Sequence, residues 1–265
     1  KLSIKFTIII TAEKKEKYIL GTIKSCLEQS LIKKFRIIVV YSKLNNEKLV
    51  KSRFPHLKNL LFLKCPLKKI SPTNDQLYKI EMATKFLKDE WVLLLDGDDL
   101  FLKKKLNTLQ NLDLNKDRIY LHDHKIITGK TLTNSANHKK YKKLFIYKLL
   151  FNDWPEKINT SSILLSSKAL KKFYRTTNPY RWKYLAIDVQ LVLYFYYKNK
   201  FVFLNKVLTL KRENINNLDK VYSNYFSKIY WLRRLEQHNM TKRNSGRNNV
   251  FDRLITVFFL KIFIY

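Results

Sequence analysis

Apolar residues in the first hundred positions follow two patterns that take turns along the chain. Continuous runs rich in β-branched residues predict buried strands, whereas apolar residues three and four positions apart predict helices. The runs predict strands at Ile4–Thr11, Phe35–Tyr41, Leu60–Leu63 and Trp91–Leu95. The spaced residues between them predict helices at Glu16–Ser30, Asn45–Phe54 and Asn74–Leu87. Such alternation, with strands that are apolar throughout, is typical of an α/β fold with a Rossmann-like, mostly parallel sheet flanked by helices.

The pattern is less regular after residue 100. It predicts strands at Arg118–Ile127, Thr160–Ser166 and Phe201–Leu210, and helices at Lys139–Phe151, Lys168–Tyr174, Trp182–Tyr197 and Lys220–Asn239. A polar loop is expected over Thr241–Asn249, followed by an amphipathic segment over Val250–Tyr265. Since no internal repeat or long linker is visible, we expect one domain over residues 1–212 and a helical C-terminal extension over residues 213–265.

Composition narrows the class of protein. The 265 residues are 46% hydrophobic and 14% aromatic, which supports a large core and excludes a disordered chain. Two cysteines, Cys26 and Cys65, are too few for a disulfide scaffold or a cysteine-rich zinc site, and they favour a reducing compartment. The longest apolar stretches, Val189–Tyr197 and Leu254–Leu260, are shorter than the roughly 18 residues of a spanning helix, so no transmembrane span is predicted. The expected location is the cytoplasm.

The net charge of +32 has two interpretations. Because the excess is mostly lysine, a codon bias explains it without any partner. A polyanionic partner such as nucleic acid, anionic lipid or a phosphorylated substrate explains it as well. The apolar C-terminal segment, near Lys242, Arg243 and Arg247, therefore either packs on the domain or lies at the inner face of a membrane as a peripheral contact.

An acidic turn, Asp96-Gly97-Asp98-Asp99, follows the predicted strand at Trp91–Leu95 directly. Ligands of open α/β sheets bind beyond the carboxyl ends of the strands. Neighbouring carboxylates there suit Mg²⁺ or Mn²⁺, with phosphate oxygens of a substrate completing the coordination shell. The alternative is an ordinary Asp-Gly turn in which Asp98 or Asp99 caps the next helix.

One carboxylate, Asp188, stands in the otherwise apolar segment YLAIDVQLVLYFYY. Burying an unpaired carboxylate in such surroundings is energetically unfavourable. Burial there also makes Asp188 a candidate general base. The alternative is a position in the first helical turn that faces water. His122 and His124 alternate along a predicted strand, but without a third ligand nearby they do not indicate zinc.

Taken in order, these segments resemble the family 2 glycosyltransferases, which have the GT-A fold. The resemblance rests on FTIIITAEKKEKYILGTIKSCLEQS, FRIIVVYSK, KFLKDEWVLLLDGDD, LAIDVQL and LTLKR, and covers roughly residues 4–240. It implies an inverting, metal-assisted transfer of sugar from a nucleotide-diphosphate donor, expected to be a UDP sugar, to a hydroxyl of a glycan or lipid-linked acceptor. Two positions depart from the family pattern: Tyr41-Ser42-Lys43 lacks the usual acidic residue after the second strand, and Ile187 stands where the residue before the base is commonly acidic.

The resemblance also implies roles for single residues. Asp188 is the general base, and Asp98, Asp96 and Asp99 hold the Mg²⁺ or Mn²⁺ ion. The expected donor-binding residues are Thr11, Ala12, Glu13, Tyr41, Lys79, Asp96, Gly97, Lys211 and Arg212. Thr160, Ser161 and Trp182 are candidates for the acceptor site, with ordinary strand or core packing as their alternative.

Two other functions are open at this stage. A sugar-phosphate nucleotidyltransferase would have a related fold, but Thr11–Lys17 contains no glycine-rich loop. A nucleic-acid-binding protein would use the positive charge, but the basic residues are spread along the chain and no known module is visible. Nucleic acid is therefore not the expected partner.

Overall fold

The computed structural model describes residues 5–13, 16–29, 35–44, 47–55, 57–66, 71–129, 131–134, 154, 158–213, 224–246 and 249–263. Its first half alternates strands and helices as predicted. The elements are β1 (Phe6–Ala12), α1 (Glu16–Leu27), β2 (Phe35–Tyr41), α2 (Glu47–Ser52), β3 (Leu60–Lys64), α3 (Pro72–Thr84) and β4 (Trp91–Asp96). β1 pairs in parallel with both β2 and β4, and β2 pairs in parallel with β3, as expected for βαβ units.

The second half mixes short strands with helices. Its elements are β5 (Leu100–Phe101), α4 (Lys105–Gln110), β6 (Ile119–Thr128), β7 (Thr131–Asn134), β8 (Ile163–Ser166), α5 (Ser167–Thr177), α6 (Ile187–Tyr196), β9 (Phe201–Arg212), α7 (Lys228–Ser245) and α8 (Val250–Ile262). Two 3₁₀ turns, Thr160–Ser162 and Pro179–Arg181, precede β8 and α6.

All these strands form one sheet in the order β3-β2-β1-β4-β8-β6-β9-β5, with β7 paired to β6. The ladder between β6 and β9 is parallel, whereas β8 runs antiparallel to both β4 and β6. β5 and β7 are antiparallel to their partners as well. The sheet is therefore parallel in its first half and mixed in its second. The sequence pattern did not indicate this mixture, because the direction of a strand depends on its tertiary pairing.

The core lies on both faces of the sheet, which explains why the strands are apolar throughout. Along β1, Ile9 points to one face, where α3, α5 and α6 pack. Ile8 and Ile10 point to the other, where α1 and α4 pack. Cys26 of α1 is a free, buried thiol in this second layer, and burial raises its pKa to about 12. The thiol is therefore a core group rather than a reactive one.

Several boundaries differ from the sequence prediction, including α7 at Lys228–Ser245 instead of Lys220–Asn239 and α3 at Pro72–Thr84 instead of Asn74–Leu87. Helix α6 begins at Ile187 rather than Trp182, because Pro179–Arg181 forms a separate 3₁₀ turn. The expected strand at Thr160–Ser166 starts with a 3₁₀ turn. The expected polar loop over Thr241–Asn249 is helical up to Ser245, and α7 ends only where Gly246 takes a left-handed conformation. The predicted helix at Lys139–Phe151 lies outside the described residues.

The C-terminal helices pack as a hairpin. Glu236 of α7 accepts hydrogen bonds from the backbone amides of Lys183 and Tyr184, and Met240 joins the core. Helix α8 packs on α7 through stacked rings of Trp231 and Phe259, whose centroids are 4.5 Å apart. Within the described ranges, no helix has both the length and the apolar character that crossing a bilayer requires.

Candidate functional site

The acidic turn lies where the strand order of the sheet reverses. The chain runs outward from β1 to β2 and β3, and then returns across β1 to β4. Thr11, near the end of β1, is paired with Asp96 at the end of β4. A crevice opens at such a switch point in α/β sheets, and ligands bind in it. The structure therefore brings the predicted donor-binding residues of β1 and the acidic turn together.

Gly97 lets the acidic turn lie directly against β1. Its backbone amide donates to the carbonyl of Thr11 at 2.9 Å, and its own carbonyl accepts from the hydroxyl of Thr22 at 3.1 Å. A Cβ atom at this position would lie 3.0 Å from the Thr11 carbonyl oxygen and 3.1 Å from the Ala12 Cβ. Glycine is therefore required here by close backbone approach.

Asp96 is oriented by helix α3. Gln76 Nε2 donates to Asp96 Oδ1 at 2.7 Å and also contacts the Thr11 hydroxyl at 3.4 Å. Helix α3 starts where it does because Ser71 caps its first turn, accepting from the Asn74 amide, and Pro72 fits that turn. The cap thus fixes the position of Gln76 and, through it, of the first carboxylate.

Asp99 is buried and its two oxygens are both hydrogen-bonded. Oδ2 accepts from the Ser161 hydroxyl at 2.6 Å, and Oδ1 accepts from the Arg212 amide at 2.8 Å. Burial, and then the charge of Asp98, raise the pKa of Asp99 to about 6, against the opposing effect of these hydrogen bonds and of Lys211. Asp99 is therefore placed to support the turn.

Ser161 belongs to this support. Its hydroxyl oxygen also accepts from the Asp96 amide at 3.0 Å, and the residue is fully buried. The acceptor role expected for Ser161 stays a prediction that this packing does not favour, because its hydroxyl is enclosed and already bonded to the acidic turn. Thr160 and Trp182 are also buried, and their contacts with an acceptor remain predictions.

Lys105 is the residue of this site that the sequence did not indicate. Its ammonium group is completely buried and donates to the Ser161 carbonyl and the Thr209 hydroxyl, both at 2.9 Å, with the ring of Phe101 3.4 Å away. Burial lowers its pKa well below the ordinary value, while the negative charge of Asp99 opposes that change. Lys105 thus fastens the Thr160–Ser162 turn to β9 behind the acidic residues.

Asp98 and the end of β9 form the opposite wall of the turn. Asp98 is 4% exposed, and its carbonyl accepts from Arg212 Nε at 3.1 Å. The Arg212 guanidinium lies 4.5 Å from the ring centroid of Tyr18, and the neighbouring Lys211 is half-buried. Two cations therefore stand next to the acidic turn, where a diphosphate would need them.

A second charged group lies beyond β1. Lys79 is buried and forms ion pairs with Glu13 at 3.1 Å and with Asp75 at 2.5 Å. Burial raises the pKa of Asp75, and Lys79 opposes that effect. Among the described residues, Asp75 Oδ1 has no hydrogen-bond partner. The predicted donor-binding residues Glu13 and Lys79 are thus joined to a carboxylate that the sequence had not singled out.

Tyr41 is placed differently from the other candidates. Its side chain is buried in the core, and its hydroxyl donates to Glu47 at 2.5 Å. Burial and the bond to Glu47 raise the pKa of the Tyr41 phenol. A contact between Tyr41 and a donor nucleotide stays a prediction that this packing does not favour.

Asp188 stands in the first turn of α6, half-buried, with Oδ1 2.7 Å from the Val189 amide. The start of α3 connects it to the acidic turn. Thr73 donates to the Lys183 carbonyl at 2.6 Å, just ahead of α6, while Gln76 of the same helix holds Asp96. Helix α3 thus contacts both the acidic turn and the segment that leads into α6, while a cleft shared by Asp188 and the acidic turn stays a prediction.

No three His, Cys, Asp or Glu side chains in the described parts of the chain lie close enough together to hold a metal ion by themselves. This includes His122 and His124, which are both buried. With Asp99 committed to Ser161 and Arg212, the acidic turn offers Asp98 and Asp96 as oxygen donors. Mg²⁺ typically takes about one or two carboxylates from a protein and the rest from substrate and water, so the donor set fits such an ion.

No protein-family model matches the chain, and no curated protein matches it. Solved structures do match. TarS 1–349 from S. aureus in complex with UDP superposes with a TM-score of 0.63 at 17% identity, over 98% of this chain and 71% of that one. The mannosyltransferase PcManGT from Pyrobaculum calidifontis, in complex with GDP-Man and Mn²⁺, gives 0.60 at 12% identity, over 96% and 69%. The chain therefore has the GT-A fold of glycosyltransferases, as its series of motifs predicted.

Proposed function

We propose that this chain is a glycosyltransferase that moves a sugar from a nucleotide-diphosphate donor to a hydroxyl of a glycan or lipid-linked acceptor. The observation that carries the proposal is the acidic turn at the switch point of a GT-A sheet, with Arg212 and Lys211 beside it. Structural neighbours in complex with UDP, UDP-GlcNAc and GDP-Man support a nucleotide-sugar donor.

Asp98 and Asp96 are the residues that would hold Mg²⁺ or Mn²⁺. The ion would supply Lewis-acid stabilisation of the leaving diphosphate. Lys211 and Arg212 neutralise further phosphate charge, and the Arg212 guanidinium can donate two parallel hydrogen bonds to phosphate oxygens. Asp99 keeps the turn in place through Ser161 and the backbone of β9.

The nucleoside end of the donor would lie along the ends of β1 and α3. Thr11, Ala12 and Glu13 line that side, and Lys79 holds Glu13 and Asp75 together next to them. We propose UDP as the nucleotide, supported by the complexes of TarS with UDP and UDP-GlcNAc. Recognition would then use the Glu13–Lys79–Asp75 group instead of an acidic residue after β2.

Asp188 would act as general base. It takes the proton of the acceptor hydroxyl, whose oxygen attacks the anomeric carbon from the side opposite the nucleotide. The bond from that carbon to the diphosphate oxygen breaks, and the nucleoside diphosphate leaves with the electron pair. The product has inverted configuration at the anomeric carbon.

An Asp188→Asn variant separates binding from transfer. It is expected to bind nucleotide like the wild type and to lose sugar transfer by about 100-fold or more, because the general base is gone. Release of nucleoside diphosphate in the presence of mixed glycan acceptors measures the transfer. Sugar transfer at the wild-type rate in this variant would show that Asp188 is not the general base.

A thermal-shift screen tests the activity class directly. A ligand that binds only the folded state raises the melting temperature. UDP, GDP and their sugar conjugates are each tested with Mn²⁺ and with a chelator, and at least one is expected to stabilise the chain in the Mn²⁺ arm. Absence of any shift, together with duplex-DNA binding that weakens steeply with salt, would favour a nucleic-acid-binding function instead.

A further inference from the structure

Helix α8 has two unlike faces. Asp252 and Thr256 are buried against α7, and Phe259 stacks on Trp231. On the opposite side every fourth residue is apolar and open to solvent, with exposed fractions of 60, 63, 61 and 51% along the series. We call this series the α8 ridge, and it consists of Val250, Leu254, Phe258 and Ile262.

The α8 ridge faces outward because the inner face is held by polar contacts. Arg234 of α7 forms an ion pair with the fully buried Asp252, and His238 Nε2 lies 3.2 Å from the Thr256 hydroxyl. Rotating α8 to bury the ridge would break the ion pair between Arg234 and Asp252. A buried charge that loses its partner strongly destabilises the folded state. Exposure of the ridge is therefore fixed by the packing of the hairpin.

The apolar surface continues onto the start of α7. Tyr225 and Phe226 are 65 and 85% exposed. The Tyr225 carbonyl accepts from Trp231 Nε1 at 2.9 Å, and Trp231 in turn stacks on Phe259 of α8. The exposed rings before α7 are thus joined to the C-terminal end of the α8 ridge. Several exposed apolar side chains on one hairpin mark a partner surface.

The exposed charges around this surface are positive. Lys228, Lys242 and Arg243 of α7 and Lys261 of α8 are exposed. Asp252 is buried with Arg234, and the half-buried Glu236 accepts from backbone amides of the domain. An apolar helical face with a cationic border is the composition that binds the boundary of an anionic bilayer.

We infer that the α8 ridge and its cationic border dock this chain on an anionic lipid surface. The ridge enters the boundary between headgroups and acyl chains, and the lysines stay among the headgroups. A second copy of the chain fits less well, since two such faces would bring like charges together. This inference goes beyond the proposed transfer chemistry and holds or fails without it.

Vesicle co-sedimentation of the full chain tests the inference without any nucleotide. Vesicles of phosphatidylcholine mixed with phosphatidylglycerol are compared with phosphatidylcholine alone. Wild type is expected to bind the anionic vesicles and to bind the neutral ones at least about tenfold more weakly, because each basic group near the surface is worth about 1 kcal/mol.

The double variant Leu254→Gln, Phe258→Gln is expected to bind the anionic vesicles about tenfold more weakly or worse, since two apolar side chains no longer leave water. Leu49 and Leu132 are also exposed but lie on α2 and β7, so Leu49→Gln, Leu132→Gln is the matched control and should bind like wild type. Unchanged melting temperatures show that both variants are folded.

A second variant, Lys242→Glu, Arg243→Glu, changes only exposed charge and should also weaken anionic binding. Three results would overturn the inference: no binding of the wild type to anionic vesicles, equal binding by the ridge variant and the wild type, or a dimer in light scattering that the ridge variant dissociates while vesicle binding stays unchanged. The last result would assign the ridge to a second copy of the chain.

Discussion

The Ser161 hydroxyl and the Lys105 ammonium group hold the acidic turn on its buried side. The Ser161 hydroxyl joins the Asp96 amide to the Asp99 carboxylate, and Lys105 holds the Ser161 carbonyl against Thr209. Every one of these groups is enclosed, so each depends on its hydrogen bonds to offset the loss of water. The position of the site's carboxylates thus depends on residues that need not touch a ligand.

Lys105→Met is expected to lower the free energy of unfolding by about 2 kcal/mol, because the Ser161 carbonyl and the Thr209 hydroxyl each lose a buried hydrogen bond. The variant should also weaken nucleotide binding, since the Lys105 bridge between the Thr160–Ser162 turn and β9 is lost while the direct bond from Thr209 to Ser161 remains. Urea unfolding measures the first effect. Lys104→Met, at an exposed position next to it, is the control. Equal losses in both variants would contradict a special role for Lys105.

Two glycines are expected to respond to alanine in opposite directions. Gly97→Ala should destabilise the chain and weaken nucleotide binding, because its Cβ would press on the Thr11 carbonyl at 3.0 Å. Gly21 lies inside α1, where an added Cβ meets only Leu100 at 3.9 Å. Gly21→Ala should therefore stabilise by roughly 0.5–1 kcal/mol. Thermal melts of the two variants test this, and a neutral Gly97→Ala would show that β1 and the turn are not in contact.

At the scale of elements, α3 and the α7–α8 hairpin hold the acidic turn and the segment that precedes α6. The first turns of α3 contact both the acidic turn through Gln76 and the segment before α6 through Thr73. Helix α7 holds that same segment through Glu236, and α8 is fastened to α7 by a buried polar group. The segment that leads into α6 and Asp188 is therefore held by helices from two distant parts of the chain.

The hairpin is expected to lose stability in mild acid. Burial lowers the pKa of His238 from 6.5 to about 4, and Arg234 and Arg253 act in the same direction, while Asp252 opposes them. Between these two pH values the unfolded chain binds the proton and the folded chain does not, so stability falls as the pH drops through this window. His238 also meets the Trp154 ring at 4.9 Å.

Urea unfolding at a series of pH values from 7.5 to 4.5 measures this effect, with about 6.5 as the expected onset of the loss. His238→Gln removes the titrating group and should show a shallower pH dependence than the wild type. A wild-type curve and a variant curve with the same slope would contradict the assignment to His238.

The sequence predicts features that arise from neighbouring residues and misses those that arise from contacts between distant parts of the chain. Strands β1, β2 and β4 are largely buried on both faces, so their continuous apolar runs mark them without knowledge of the fold. Lys105 follows Lys103 and Lys104, and only contacts with Ser161 and Thr209, 56 and 104 positions away, distinguish it. The same reason hid the buried role of Ser161 and the mixed pairing around β8, since both arise from tertiary contacts.

At the scale of the whole molecule, the GT-A sheet gathers charges of both signs on one edge of a chain with net charge +32. The acidic turn, the Glu13–Lys79–Asp75 group and the end of β9 meet at the switch point of the sheet. The positive residues spread over the remaining surface, and the α8 ridge lies on the C-terminal hairpin. The proposed donor site and the proposed lipid-binding surface thus use separate residues, and each can be altered alone.

Calorimetric titration of UDP and GDP in the presence of Mn²⁺ tests the central proposal most directly, with Asp98→Asn as the variant. Asp89→Asn is the control, because Asp89 is exposed and pairs with Lys116 on the surface. We predict that wild type and the control bind a nucleotide diphosphate alike, and that Asp98→Asn binds it at least about tenfold more weakly, a loss of 1.4 kcal/mol or more. Equal affinity of Asp98→Asn and the wild type would contradict the assignment of the acidic turn to the donor diphosphate.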